Sequence, residues 1–357
     1  MSRLIDSHHH LWNLGVRPQP WLGQTGLEPL RRNFLPGDFA AVAAAAGVTA
    51  SVVVQTVVDP EETPELLAIA ADSELIAGVV GWVDLTAAEV ADRLVELAEL
   101  AGGLKLAGIR HQVQSEPGPD WLTRPDVLRG LAAVARAGLV YDLVITAGQL
   151  PSASAAAAAV PDLVFVLDHL GKPPVADAAL GPWAADLRRF TALPNTVGKL
   201  SGLVTEAGGG GWAVADLRPF AEVALDGFGA GRLMFGSDWP VCTVVASYDE
   251  VLAAARELTA SLSAAERGAI FGGTATRIYG LDALQGLHPD ERALVGWPAG
   301  RRDAQRHRAR HQDARDDRRQ GDGERDGRRD DEDRDQQEHP GDRPRYGGAA
   351  NAGGPSP

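Results

Sequence analysis

Short segments rich in valine, leucine and isoleucine alternate with helical stretches from Leu4 to about Leu281, and this alternation constrains the fold more than any other feature. The strand-like segments are Leu4–His10, Ala50–Val57, Ile76–Asp84, Leu104–His111, Leu139–Thr146, Leu163–His169, Thr196–Ser201 and Arg232–Ser237. Several are apolar on both faces, as parallel strands covered by helices must be. Between them, stretches such as Phe39–Ala46, Pro64–Ser73, Ala87–Ala101, Pro125–Ala137, Pro182–Ala192 and Tyr248–Ser261 read as helices. Gly47, Gly102 and Gly138 follow helices where a C-terminus favours a left-handed residue. The segment Gln149–Val160, almost pure alanine and serine, reads as a helix of little functional content. Eight such units predict an α/β fold, a (β/α)8 TIM-like barrel over residues 1–281. An open doubly wound sheet is the alternative, but no GxGxxG turn follows the first strand.

Composition then breaks. Residues 282–300 read as a connecting segment. Residues 301–357 are Arg, Asp, Gln and Gly with almost no aliphatic side chains. Such a segment cannot bury enough apolar area to offset its chain entropy, so a disordered, charged, low-complexity tail is expected. The formal charge of −14 argues against nucleic acid or an anionic membrane as the main partner. The single cysteine, Cys242, excludes an intrachain disulfide and fits a reducing compartment. The N-terminus has no signal-peptide pattern, and no apolar run approaches the ~18 residues of a membrane span. A cytoplasmic protein with a small-molecule substrate is expected, and a homo-oligomer is left open.

Five of the nine histidines, His8, His9, His10, His111 and His169, precede Gly280, and each sits where a predicted strand ends. The three lysines, Lys105, Lys172 and Lys199, also lie in or beside such strands. In a barrel of this type, the C-terminal strand ends carry the chemistry. Alternation along the first strand places Asp6, His8 and His10 on one face and turns His9 toward the helices. Two imidazoles at i and i+2 can converge on one metal ion or one substrate oxygen. On the fourth strand, Arg110 and His111 should face opposite sides. Lys105 lies far from that strand's functional end and reads as structural. At the sixth strand, His169 and Lys172 are placed to polarise a carbonyl or hold a carboxylate. Lys199 faces either the substrate or a buried ion-pair partner. Asp238, ending the eighth strand, is the candidate general base, or a metal ligand that doubles as one. Cys242 reads as a small buried thiol. Trp12, Trp21 and Trp239 are expected to wall the pocket, and loops 13–38 and 112–124 to shape specificity.

DSHHHLW (6–12), GIRH (108–111), DHLGKP (168–173), KLSGL (199–203), GSDWPV (236–241) and TATRIYGL (274–281) together resemble the amidohydrolase superfamily. They look like its amidohydrolase 2 branch of fuconolactonase-like, rhamnonolactonase-like and 2-pyrone-4,6-dicarboxylate lactonase-like enzymes. The resemblance runs from about Leu4 to Leu281 and implies a barrel that hydrolyses a lactone or similar ester. His8, His10, His169 and Asp238 match the family's positions. In that frame Asp238, His169 and His111 are catalytic, and Arg110, Lys172, Trp12 and Trp239 bind substrate. His8, His10 and Asp238 hold one divalent cation, zinc or manganese, or catalysis is metal-free, as also occurs in this branch. Strand four ends in Arg110-His111, and strand five, Tyr141–Ile145, lacks a histidine, which argues against a binuclear centre. Thr274 stands where the family usually has asparagine and is expected to cap the same helix. The alternatives are a mononuclear-metal decarboxylase of an unsaturated or aromatic acid, a metal-dependent DNase, which the missing strand-four glutamate and the acidic chain disfavour, and a catalytically silent binding barrel.

Overall fold

The computed structural model describes residues 3–209 and 211–282. Nearly all of the expected connector and the whole of the expected tail lie outside the described residues. Eight strands form one sheet in chain order: β1 (Ile5–His9), β2 (Ala50–Val54), β3 (Ile76–Gly81), β4 (Leu106–His111), β5 (Val140–Leu143), β6 (Phe165–Leu167), β7 (Thr196–Leu200) and β8 (Leu233–Phe235). Each pairs in parallel with the next. At the C-terminal end β8 runs on to meet β1. Asp238 N donates to the His8 carbonyl at 2.9 Å, and His10 N to the Trp239 carbonyl at 2.7 Å. Ser7 Oγ donates to the Phe235 carbonyl at 2.6 Å on the same seam. The sheet thus curls into the expected (β/α)8 barrel.

Outside it run α1 (Pro36–Ala46), α2 (Glu62–Ala71), α3 (Val90–Glu99), α4 (Pro125–Arg136), α5 (Leu150–Ala159), α6 (Gly181–Thr191), α7 (Leu203–Glu206), α8 (Val214–Phe228), α9 (Tyr248–Leu258), α10 (Ala264–Gly268) and α11 (Thr274–Tyr279). Tyr141, Phe165, Phe235 and their neighbours fill the space between barrel and helices. A second apolar layer, with Val52, Val80, Val140, Val166, Val197 and Met234, fills the barrel interior. Ala275, Tyr279 and Leu281 close that interior layer. Thr274 does not cap α11 as expected. Helical backbone already precedes it, and its hydroxyl points to the Ala230 and Gly231 carbonyls at 3.4 Å. Lys105 is structural, as expected: its ammonium donates to the carbonyls of Ala70 (2.6 Å), Ser73 (2.7 Å) and Ile76 (2.9 Å) around the end of α2.

β1 departs from simple alternation. Its pairing steps from Asp6 opposite Ser51 to His9 opposite Val53, so three positions on β1 match two on β2. One extra residue in a strand reverses the facing of everything beyond it. Ile5 therefore packs in the interior layer with Val52 and Met234, while His8 and His10 turn into the mouth. Asp6, expected beside them, faces the β1–β8 seam instead. It accepts from Ser237 N (2.9 Å), Ser237 Oγ (2.6 Å) and Tyr248 Oη of α9 (3.0 Å). Burial pushes its carboxyl up to about 6, against those hydrogen bonds.

Candidate active site

Three imidazoles converge on one carboxylate at the barrel mouth. Asp238 Oδ1 lies 3.4 Å from His10 Nε2, 3.7 Å from His8 Nε2 and 3.8 Å from His169 Nε2. The two β1 rings meet edge to face, with their Nε2 atoms 3.1 Å apart. Each ring is oriented from behind. His10 Nδ1 sits 2.7 Å from the Val54 carbonyl, so it carries the proton and leaves the Nε2 lone pair facing the mouth. His169 Nδ1 lies 2.9 Å from Ser201 Oγ at the end of β7. His8 Nδ1 faces both Lys199 Nζ (2.9 Å) and Asp168 Oδ1 (3.3 Å). His9 points away, as expected: it stacks on Phe39 of α1 with ring centroids 3.6 Å apart, and Nε2 contacts Ser51 Oγ.

The backbone here is unusual. His169, Leu170 and Lys172 have φ of 53°, 51° and 53°, and Asp238 has φ of 59°. Non-glycine residues seldom hold this left-handed conformation, and when they do the site is often functional.

Beneath the mouth lies a buried ionic layer. Lys199 Nζ is 2.6 Å from Asp142 Oδ2 and 3.0 Å from Asp168 Oδ1. Arg110 Nη1 is 2.9 Å from Asp168 Oδ2, and its Nη2 donates to the Gln55 carbonyl. Tyr279 donates to Asp142 Oδ2 at 2.8 Å. Burial opposes the charge on Asp168, but Lys199, His8 and Arg110 together hold its carboxyl well below the usual range. For Asp142 burial wins over Lys199 and raises the carboxyl to about 6. Burial, then the nearby ammonium, pushes His8 well below the usual imidazole value. Burial likewise lowers His169 to about 4, against the pull of Asp238 and Asp168. Burial would raise Asp238, but His169, His10 and His8 outweigh it and keep the carboxylate ionised.

Other expected site residues fall elsewhere. Arg110 faces inward, into this layer. His111 faces the other way, as adjacent strand residues should. Its Nδ1 accepts from Trp82 Nε1 at 2.9 Å, its Nε2 lies 2.7 Å from Glu116 Oε1, and its ring stacks on Trp121. The structure does not bring His111 to Asp238. Lys172 Nζ lies 4.0 Å from Glu206 Oε1 at the end of α7. Trp12 and Trp239, expected as pocket walls, are buried in the outer core, where Trp12 lines a separate cavity with Arg17, Phe34 and Glu62. Trp12 packs on Trp21 and Phe34, and Trp239 on Phe34 and Phe39. Trp239 still positions the site through its carbonyl, which holds His10 N. Cys242 is fully buried, and burial pushes its thiol up, away from nucleophilic use.

The donor set suits a divalent cation. A zinc ion ~2.0–2.1 Å from tetrahedral ligands keeps those ligands about 3.3 Å apart. The His8, His10 and Asp238 atoms stand 3.1 to 3.7 Å apart. His8, Asp168 and His169 form a second close group, which shares His8.

The family model described as Amidohydrolase matches residues 5–281. The L-fucono-1,5-lactonase of Burkholderia multivorans is 44% identical over 288 residues, covering 78% of this chain and 96% of its own. The L-fucono-1,5-lactonase of Burkholderia ambifaria is 35% identical over 293 residues, covering 80% and 98%. A crystal structure of an amidohydrolase from Burkholderia multivorans with bound zinc matches with a TM-score of 0.73 and 44% identity, covering 78% of this chain and 99% of that one. The match runs from β1 through α11, and the chain belongs to the amidohydrolase family.

Proposed function

We propose that the protein is a hydrolase that opens a neutral, sugar-derived lactone, with Asp238 as general base. The observation that carries this reading is the convergence of His8, His10 and His169 on the ionised Asp238 carboxylate. In this reading Asp238 takes a proton from water as water attacks the lactone carbonyl, and returns it to the leaving alkoxide. His169 faces the same point and donates to the carbonyl oxygen as charge develops there. One divalent cation, zinc or manganese, held by His8, His10 and Asp238, would acidify water and polarise the carbonyl.

Charge accounting favours a neutral ring over a carboxylated one. Arg110 is bound by Asp168, Lys199 by Asp142 and Asp168, and Lys172 faces Glu206. The buried cations offered by β4 and β7 are thus matched by carboxylates of the chain, while Lys172 has only a long, partly exposed contact to Glu206. To reach Arg110 or Lys199, a substrate bearing ring carboxylates would have to displace one of those buried carboxylates. The two relatives named L-fucono-1,5-lactonase support the same choice. The partner is then a small molecule rather than nucleic acid or membrane, and a homo-oligomer is compatible with it. No helix among the described residues is long and apolar enough to cross a membrane.

The test is a pH-indicator screen over aldonolactones and 2-pyrone carboxylates, before and after chelation, with metal content measured on both samples. Acid release from aldonolactones, lost on chelation and restored by zinc or manganese, is expected. Acid release that survives chelation would leave the lactonase and remove the ion. Turnover of pyrone carboxylates alone, or CO2 release without lactone opening, would overturn the proposal.

A further inference from the structure

Lys199 has three electron-rich neighbours within 3.0 Å: Asp142 Oδ2 at 2.6 Å, His8 Nδ1 at 2.9 Å and Asp168 Oδ1 at 3.0 Å. An ammonium has three hydrogens and no lone pair, so it can only donate. A ring nitrogen 2.9 Å from it must accept, or two N–H groups would face each other. Asp168 Oδ1 is the competing partner for an Nδ1 proton on His8, at the longer distance of 3.3 Å. Arg110 Nη1 is the other cationic group at the ring, 3.4 Å from Nε2, and its shorter contact is to Asp168 at 2.9 Å.

We infer that Lys199 sets the tautomer of His8, placing the imidazole proton on Nε2 in the ion-free chain. Within the cluster the His10 contact at 3.1 Å agrees in direction, and the longer 3.4 Å contact from Arg110 at Nε2 opposes it. His8 Nε2–H then donates across 3.1 Å to His10 Nε2, whose own proton is on Nδ1 and donates to the Val54 carbonyl. The result is one hydrogen-bond chain running from the barrel interior to β2. It occupies the Nε2 lone pairs that a cation needs on both β1 histidines. Binding an ion therefore means moving the His8 proton to Nδ1, toward Asp168 and against Lys199. Lys199 is a positioning residue that acts through His8. It weakens the ion site and holds the ion-free mouth in one hydrogen-bonded arrangement. Asp142 and Tyr279 fix Lys199 from below. The consequence for ion affinity rests on the His8, His10 and Asp238 reading, but the tautomer itself depends neither on an ion nor on the substrate.

The test uses the full chain, freed of metal and labelled with 15N-histidine, with His8 assigned through single histidine variants. Wild type should show His8 with a protonated Nε2 and a bare Nδ1. The double variant Lys199→Met, Asp142→Asn removes the ion pair as a unit, so no lone charge is left in its place. Asp168 is then the remaining polar neighbour of Nδ1, and the two signals should exchange. Zinc affinity, read by competition with a chromophoric chelator, should rise about tenfold or more once Asp168 backs the ring. A proton on Nδ1 in the wild type overturns the inference, whatever the double variant does. So does a folded double variant that keeps the wild-type signals, or one whose zinc affinity is unchanged or lower. Activity enters none of these readouts, so they stand apart from the choice of lactone.

Discussion

Arg110 Nη1 lies 2.9 Å from Asp168 Oδ2, and both side chains are almost wholly sealed from solvent. The arginine is therefore occupied as part of the barrel interior. Breaking such a pair from one side strands a charge in the interior, which costs about 3–5 kcal/mol. Arg110→Met should destabilise the fold by that order in urea titrations. The double variant Arg110→Met, Asp168→Asn should recover most of the loss, because Lys199 keeps Asp142 as its partner. A double variant no more stable than the single one would show that Arg110 stabilises by packing alone.

Asp238→Asn should lower kcat/KM on the active lactone by about 10²–10⁴ while Tm changes little. The asparagine is chosen for its backbone. Residue 238 holds φ of 59°, a left-handed conformation that asparagine tolerates better than alanine does. Full activity in this variant would remove Asp238 from the role of base.

The fold and the facing of several residues at the barrel mouth were readable because both follow from local periodicity. Strand ends mark the barrel mouth, and alternation correctly turned His9 to Phe39 and split Arg110 from His111. What failed depends on partners distant in sequence. The one-residue slip in β1 exists only relative to β2, so Asp6 was placed with the histidines when it serves the β1–β8 seam. Lys199 was left between substrate and ion pair, because nothing near it in the chain points to Asp142 or Asp168. Tyr279 arrives from a helix beyond the last strand, and the TATRIYGL motif that contains it did not point to Asp142. Trp12 and Trp239 stand at strand ends, where a buried aromatic and a pocket wall have the same sequence appearance.

Glu62 makes stability depend on pH. It is buried at the start of α2, accepting from Thr56 N at 2.8 Å, Val57 N at 3.1 Å and the Thr56 hydroxyl. Burial outweighs those bonds and raises its carboxyl to about 7. The folded state thus holds this proton more tightly than the unfolded chain, whose glutamates titrate near ~4.3. The group's contribution is fully present below the unfolded value and is lost as pH rises from there through about 7. Glu62→Gln should flatten that part of the stability profile in denaturant titrations at stepped pH. An unchanged slope would assign the dependence to another buried acid.

Gly202 follows β7 with φ of +67°, and an added Cβ would lie 2.7 Å from both Cγ and Nδ1 of His169. Gly202→Ala therefore carries two penalties. The left-handed backbone costs a residue with a side chain about 1–2 kcal/mol. The larger effect is on the ring, which must leave Ser201 Oγ, now 2.9 Å from its Nδ1. Once moved, His169 Nε2 no longer aims at Asp238 Oδ1, and a displacement of about 1 Å can cost 10²-fold in rate. The variant should fold with a Tm lower by a few degrees and lose about 10²-fold in kcat/KM. The ratio of these effects identifies their source. Ser201→Ala removes the same hydrogen bond without the clash, so it should reproduce part of the rate loss with a smaller change in Tm. If Gly202→Ala kept its activity, the orientation of His169 would not limit turnover, and its place beside Asp238 would belong to the packing of the mouth.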